Sequence, residues 1–214
     1  MTVHANFYTD SEDILAECRL LGSRTLHGQS EPEITTHFTG RVRLVTTRPS
    51  IPKEKLVPGA GDAIKVTGDQ IYKIYFHGPA YQVIEGAWKD GDQIIGQFAQ
   101  KLPPNHDPAE LPLLASPRYL EMCFQSASLK GLVFQSQLGL PDSFRQFRLL
   151  AAPDKDPNAT FFAVVTSNPD DSYDVKIVDG KGNICLVLQG YRTMSLPDPV
   201  PADLLEPLKK GLKA

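Results

Sequence analysis

Apolar positions are densest between Ser116 and Pro141, in the run SPRYLEMCFQSASLKGLVFQSQLGLP. Laid out at about 100° per residue, Leu120, Met122, Cys123, Phe124, Ala127, Leu129, Val133, Phe134 and Leu138 cover most of the circumference. The polar remainder is a narrow seam of Arg118, Glu121, Gln125, Ser128, Gln135 and Ser136. The pattern predicts one helix over the whole run. Ser116 is a suitable N-cap, Pro117 suits the first helical position, and Gly139 with Pro141 ends it. A helix apolar on nearly every side belongs inside a protein.

Strand-like segments surround it. Residues 12–48 hold two runs, DILAECRLLGSRTL and EITTHFTGRVRLV, joined by HGQSEP as a hairpin loop joins strands. The Pro- and Gly-rich stretch TTRPSIPKEKLVPGAGDA follows, and residues 49–67 read as a linker. From Gly68 the pattern resumes: DQIYKIYF as a short helix, AYQVIEGAW as a strand, KDGD as a turn and QIIGQFAQ as the returning strand. The loop KLPPNHDPAELPLLASP leads into the apolar helix. Beyond it, FRQFRLLA, TFFAVVTS, YDVKIVD and NICLVLQGYRTM are strand candidates separated by turn residues. In the tail, residues 197–214, PADLLEPLKKGLKA is weakly amphipathic, and its Pro207 and Gly211 make a poor helix. A lone helix with no polar face needs a sheet that curls around it. The expected class is α+β, with an antiparallel sheet wrapped around a long central helix over residues 68–196. Residues 1–48 supply strands without a helix of this kind.

Composition narrows the partners. The chain has 214 residues, 41% of them hydrophobic, and a formal net charge of −3. No window concentrates Lys and Arg, which argues against nucleic acid or an anionic membrane as a partner. No apolar run reaches the ~18 residues of a membrane span. The start MTVHANFYTD lacks a basic-then-apolar signal, so the chain reads as cytoplasmic. The three cysteines, Cys18, Cys123 and Cys185, lie far apart in apolar runs and read as buried free thiols. No His, Cys, Asp or Glu cluster has metal-ligand spacing, and no phosphate-binding Gly motif or nucleophile elbow is present. No metal and no nucleotide cofactor is expected.

The apolar helix carries one acid near its start. Burying an ionised carboxylate without a partner is costly, and such a group usually takes up its proton instead. Two readings of Glu121 stand. Arg118, three residues earlier on the same seam, pairs with it; or Glu121 is a general acid, its proton retained by an apolar pocket and available at working pH. Gln125, one turn on, lies beside it in either case and suits orienting the carboxyl or a bound hydroxyl.

The residues around Glu121 carry a resemblance. ASPRYLEMCFQSAS resembles the second signature of polyketide-synthase and fatty-acid-synthase dehydratase domains, an acid followed four positions later by Gln or His on the central helix of a hotdog fold. Glu121 stands at the acid's place and Gln125 at the Gln's; the family more often has Asp there. YFHGPAYQVIEG is similar to the family's Gly-Pro motif: Gly78 and Pro79 match, His77 stands where a Tyr is usual, and Tyr81 supplies the following aromatic residue. THFTGRV, residues 36–42, resembles the strand closing the first half of these domains.

The resemblance implies a double hotdog whose first half is incomplete in residues 1–48. It implies a hydro-lyase that removes water from a 3-hydroxyacyl chain to give a 2-enoyl chain. It implies no cofactor of the chain's own, since the substrate rides on the phosphopantetheine of an acyl carrier protein. The expected partners are that carrier and other synthase domains, with a homodimer left open. In the family a His of the first half removes the C2 proton and the acid of the second protonates the departing C3 hydroxyl. The expected site is Glu121 and Gln125 as catalytic residues, with His77, Gly78, Pro79 and Tyr81 against the substrate. The sequence departs from the family in lacking its H-x-x-x-G-x-x-x-x-P pattern. Four residues after His4, His27, His37, His77 and His106 stand Tyr8, Glu31, Arg41, Tyr81 and Glu110. The chain alone is therefore expected to be inactive, as a piece cut from a longer protein. Uncovered apolar surface is expected on residues 12–48. Two other readings remain open: a non-catalytic hotdog module that holds an acyl chain or docks to neighbouring domains, and a hotdog thioesterase or isomerase.

Overall fold

The computed structural model describes residues 1–47, 49–54, 64–107, 116–151 and 159–213. They fall into two units, Met1–Pro49 and Ser50–Ala214.

The first unit is a three-stranded antiparallel sheet of β1 (Thr2–Asp10), β2 (Asp13–Arg24) and β3 (Glu33–Leu44), in that order. The sequence reading included the last two strands and missed β1, although Val3, Ala5 and Phe7 alternate as a half-buried strand should. Register sorts the side chains. Val3 and Phe7 lie opposite Leu20 and Ala16, which lie opposite Phe38 and Val42, so one face is apolar. The other carries His4, Asn6, Glu17, Arg19, Arg41 and Arg43. The apolar face is open: Phe7 is 65% and Phe38 67% exposed. Among the described residues this unit holds no helix, as expected.

In the second unit the strands β4 (Val66–Thr67), β5 (Ile84–Asp90), β6 (Gln93–Phe98), β9 (Phe161–Ser167), β10 (Tyr173–Asp179) and β11 (Ile184–Ser195) pair antiparallel in that order. β11 also pairs with β7 (Gly139–Ser143) at its C-terminal end and with β8 (Gln146–Leu149) nearer its start. Gly190 separates the two stretches. Its φ of 63° and the 3.0 Å left between a Cβ there and the Arg145 Cβ suit only glycine. The sheet curls around α2 (Pro117–Gln135), which packs against β5, β6, β7, β9, β10 and β11. Met122, Cys123, Ala127, Leu129, Leu132 and Val133 of α2 are completely buried. This is the antiparallel wrap around one helix that the apolar run predicts.

The helix is shorter than predicted. It ends at Gln135, where Ser136 adopts φ 61° and its amide bonds Leu132 O at 3.0 Å. Gly139 and Pro141 are not its stop signal; they belong to β7, paired with Ser195 and Thr193 of β11. An edge strand tolerates Pro because its outward amide needs no partner. A second correction concerns the tail: Ala202–Lys213 forms a helix, α3, despite Pro207 and Gly211. Leu205, Leu208 and Leu212 are buried along one side, and packing against α2, β4 and β5 overrides the low propensity. Gly211 is part of that packing, because a Cβ there would stand 2.6 Å from the Val66 side chain and 2.8 Å from Lys65 O. The three cysteines are thiols; Cys123 and Cys185 are buried, whereas Cys18 is partly exposed. No helix of the described residues is long and apolar enough to cross a membrane.

Candidate active site

The short helix α1 (Gly68–Ile71) leads into a loop that meets the first turns of α2. Thr67 caps it, with the Gln70 side chain returning to the Thr67 amide at 2.9 Å. The loop then closes in a single 3-10 turn, Pro79–Tyr81, with Gly78 in extended conformation before it. Arg118 fastens the turn to α2: its Nε donates to Ala80 O at 3.0 Å and its Nη2 donates to Pro103 O. The Arg118–Glu121 pair, one of the two readings of Glu121, is not formed. Backbone carbonyls offer the guanidinium a forked acceptor set that a neighbour on the helix surface does not.

Glu121 is claimed by other groups. Its Oε1 lies 3.0 Å from His77 Nε2 and 3.0 Å from Gln125 Nε2. The glutamate side chain is 23% exposed and that of His77 20%, so the carboxyl sits at the rim of the core and is not sequestered within it. Phe76 stacks on the imidazole at 4.9 Å between centroids, and Tyr75 meets it edge-on at 5.7 Å. The ring's other nitrogen, Nδ1, is enclosed without a hydrogen-bond partner among the described residues. One nitrogen thus faces Glu121 and the other faces the interior.

Gln125 is buried and uses both ends of its amide. Nε2 donates to Tyr81 O at 2.9 Å as well as to Glu121, and Oε1 accepts the Tyr72 hydroxyl at 2.7 Å. Tyr72 accepts in turn from the Ile84 amide at 2.7 Å, and Tyr75 donates to Gln125 O at 2.9 Å. Burial pushes the Tyr72 phenol far above its ordinary value, with the Ile84 amide pulling weakly the other way. Burial likewise raises the Tyr75 phenol and the Cys123 thiol, and the nearby Glu121 charge adds to both. These groups keep their protons at neutral pH.

The structure brings the expected site residues into one place. Gln125 donates to Glu121 Oε1, His77 Nε2 lies 3.0 Å from the same oxygen, and Tyr81 joins them through its carbonyl. Gly78 and Pro79 are exposed backbone formers of the turn. The sequence reading missed Tyr72 and the target of Arg118. The available signal was the i, i+3 spacing of Tyr72 and Tyr75, which sets both on one side of a helical turn. Among the described residues no three His, Cys, Asp or Glu side chains gather as metal ligands. Chemically, one carboxyl oxygen, Oε1, accepts from Gln125 and lies against His77 Nε2. The other, Oε2, has no hydrogen bond among the described residues and is free to carry a proton to a bound molecule.

Comparison with known proteins assigns the class. Solved dehydratase domains share the fold, which is the hotdog fold. The dehydratase domain from the CurF module of the curacin polyketide synthase aligns over 91% of this chain and 68% of its own, with 18% identity and a TM-score of 0.66. A trans-AT polyketide synthase dehydratase domain from Brevibacillus brevis aligns over 91% and 69%, with 22% identity and a TM-score of 0.64. An inactive Asp-to-Asn mutant of the CurK dehydratase aligns over 92% and 69%, with 16% identity and a TM-score of 0.64. The family model for the polyketide synthase dehydratase N-terminal domain matches residues 60–203, and the chain belongs to this family. A search of curated proteins returns no match.

Proposed function

We propose that the chain is part of a polyketide synthase dehydratase that removes water from a 3-hydroxyacyl chain, with Glu121 as the general acid. The carboxyl protonates the C3 hydroxyl as the C3–O bond breaks, a base takes the C2 proton, and the C2–C3 double bond forms as water leaves. The observation that carries the proposal is the free Oε2 of a carboxyl whose Oε1 is held by His77 and Gln125 at 3.0 Å each. Gln125, donating to Oε1, orients the carboxyl. The inactivity of the Asp-to-Asn mutant of the CurK dehydratase fits a reaction that depends on a carboxyl group.

Residues 1–48 belong, in this proposal, to a first hotdog that supplies the base. His77 does not take that role, because its Nε2 is engaged by Glu121 and its Nδ1 is enclosed. The link between the halves ends before Val66–Thr67, which already pair with β5, rather than at residue 67; the second hotdog runs from there to residue 196, and residues 197–214 follow it. The substrate arrives as a thioester on the phosphopantetheine of an acyl carrier protein, and the chain needs no cofactor of its own. Other synthase domains are the remaining partners. The test is to give the full dehydratase a 3-hydroxyacyl carrier thioester and follow the loss of one water by mass. Release of free acid in place of the enoyl product would favour a thioesterase and overturn the proposal.

A further inference from the structure

Gln125 can orient Glu121 only if its own amide is held in one sense. Its two ends meet different chemistry. On one side lie Tyr81 O and Glu121 Oε1, both acceptors, at 2.9 and 3.0 Å. On the other lies the Tyr72 hydroxyl at 2.7 Å. A flipped amide would set its oxygen against two acceptors and leave the Tyr72 hydrogen without a carbonyl. The hydroxyl's direction is fixed as well, because its oxygen already accepts the Ile84 amide at 2.7 Å. A directed chain thus runs from the backbone of β5 through Tyr72 and Gln125 to Oε1 of Glu121. Tyr75 holds the other handle of the same residue, its main-chain oxygen, at 2.9 Å.

We infer that Tyr72 is a positioning residue for catalysis: by locking the Gln125 amide it fixes Oε1 of Glu121 and leaves Oε2 facing the substrate. The inference rests on the reading of Glu121 as the acid. Tyr72 touches no reacting atom and acts through two intervening groups. Its phenol stays protonated at working pH, so the hydroxyl remains a donor throughout turnover. Misplacing a reacting group by about 1 Å costs on the order of 10²-fold in rate.

Tyr72→Phe removes the hydroxyl and keeps the ring. On the full dehydratase, kcat falls about 10- to 100-fold with KM nearly unchanged, since ground-state binding of the acyl chain does not pass through Oε2. The Tyr72→Phe/Glu121→Gln double variant turns over no more slowly than Glu121→Gln alone, because a residue acting through Glu121 has nothing left to act on. A second readout does not depend on activity. With the Glu121 carboxyl labelled with 13C, its resonance shifts or broadens in Tyr72→Phe. An unmoved resonance, or multiplicative losses in the double variant, overturns the positioning role. A shifted resonance beside full activity of Glu121→Gln keeps the positioning role and overturns the acid assignment instead.

Discussion

His77 Nε2 and Glu121 Oε1 stand 3.0 Å apart, joining the Gly-Pro loop to the central helix through the two ionisable groups of the site. Where the family usually has a Tyr, this chain has an imidazole set against the same oxygen that accepts from Gln125.

Replacing His77 by Phe removes the 3.0 Å contact to Glu121 and keeps an aromatic ring against Phe76. Losing a contact that positions the carboxyl should lower kcat about 10- to 100-fold. His77→Gln, which retains an N–H, should recover part of the loss. Unchanged turnover in both variants would reduce His77 to a packing residue of the loop.

The open face of the three-stranded sheet should behave as exposed apolar surface. Val3, Phe7, Phe38, Val42 and Leu44 are all exposed on it, and patches of this kind mark surfaces that another element covers. The isolated chain should bind an apolar fluorescent dye at neutral pH, and Phe38→Ser should weaken that binding more than a Ser substitution on the polar face. Dye binding no greater than that of a typical closed domain would mean the face is covered.

The turn after β10 should be acid-sensitive. Asp179 Oδ1 accepts from the amides of Lys181 and Asn183, and Oδ2 from Asn183 Nδ2, each at 2.8 Å. Burial alone pushes this carboxyl up, but the Asn183 and Lys181 hydrogen bonds and the Lys181 charge together hold it below its ordinary value. A carboxyl lowered by folding contributes stability that is present above its unfolded value and lost as pH falls through its folded value. Asp179→Ala should therefore cost about 1–2 kcal/mol at neutral pH and less in acid, once the carboxyl is protonated in the folded protein. Equal costs at both pH values, measured by denaturant unfolding, would contradict the ionic origin.

Much of this fold was legible because its strongest signal is local. The Met122–Val133 stretch is too apolar for any surface, and the strand segments after it alternate or run continuously apolar. What the sequence reading missed depends on contacts made at a distance. Pro207 and Gly211 argue locally against α3, and only the leucines packed on α2 and the close approach to Val66 sustain it. Gly139 and Pro141 look like a helix stop but serve β7. At the site, the i, i+4 pair Glu121 and Gln125 follows from helical spacing, whereas Tyr72 reaches Gln125 from 53 positions away. Arg118 favoured two loop carbonyls over the acid one turn along, a preference that spacing on a single helix does not encode.

The most direct measurement compares Glu121→Gln with wild type in the full dehydratase, scoring dehydration of a 3-hydroxyacyl carrier thioester beside a thermal melt. The substitution keeps the size and hydrogen bonding of the side chain and removes the transferable proton. Turnover should fall about 10²–10⁴-fold, with the melting temperature near that of wild type because Arg118 does not depend on Glu121. Wild-type turnover with a lowered melting temperature would contradict the assignment and make Glu121 a structural partner of His77 and Gln125.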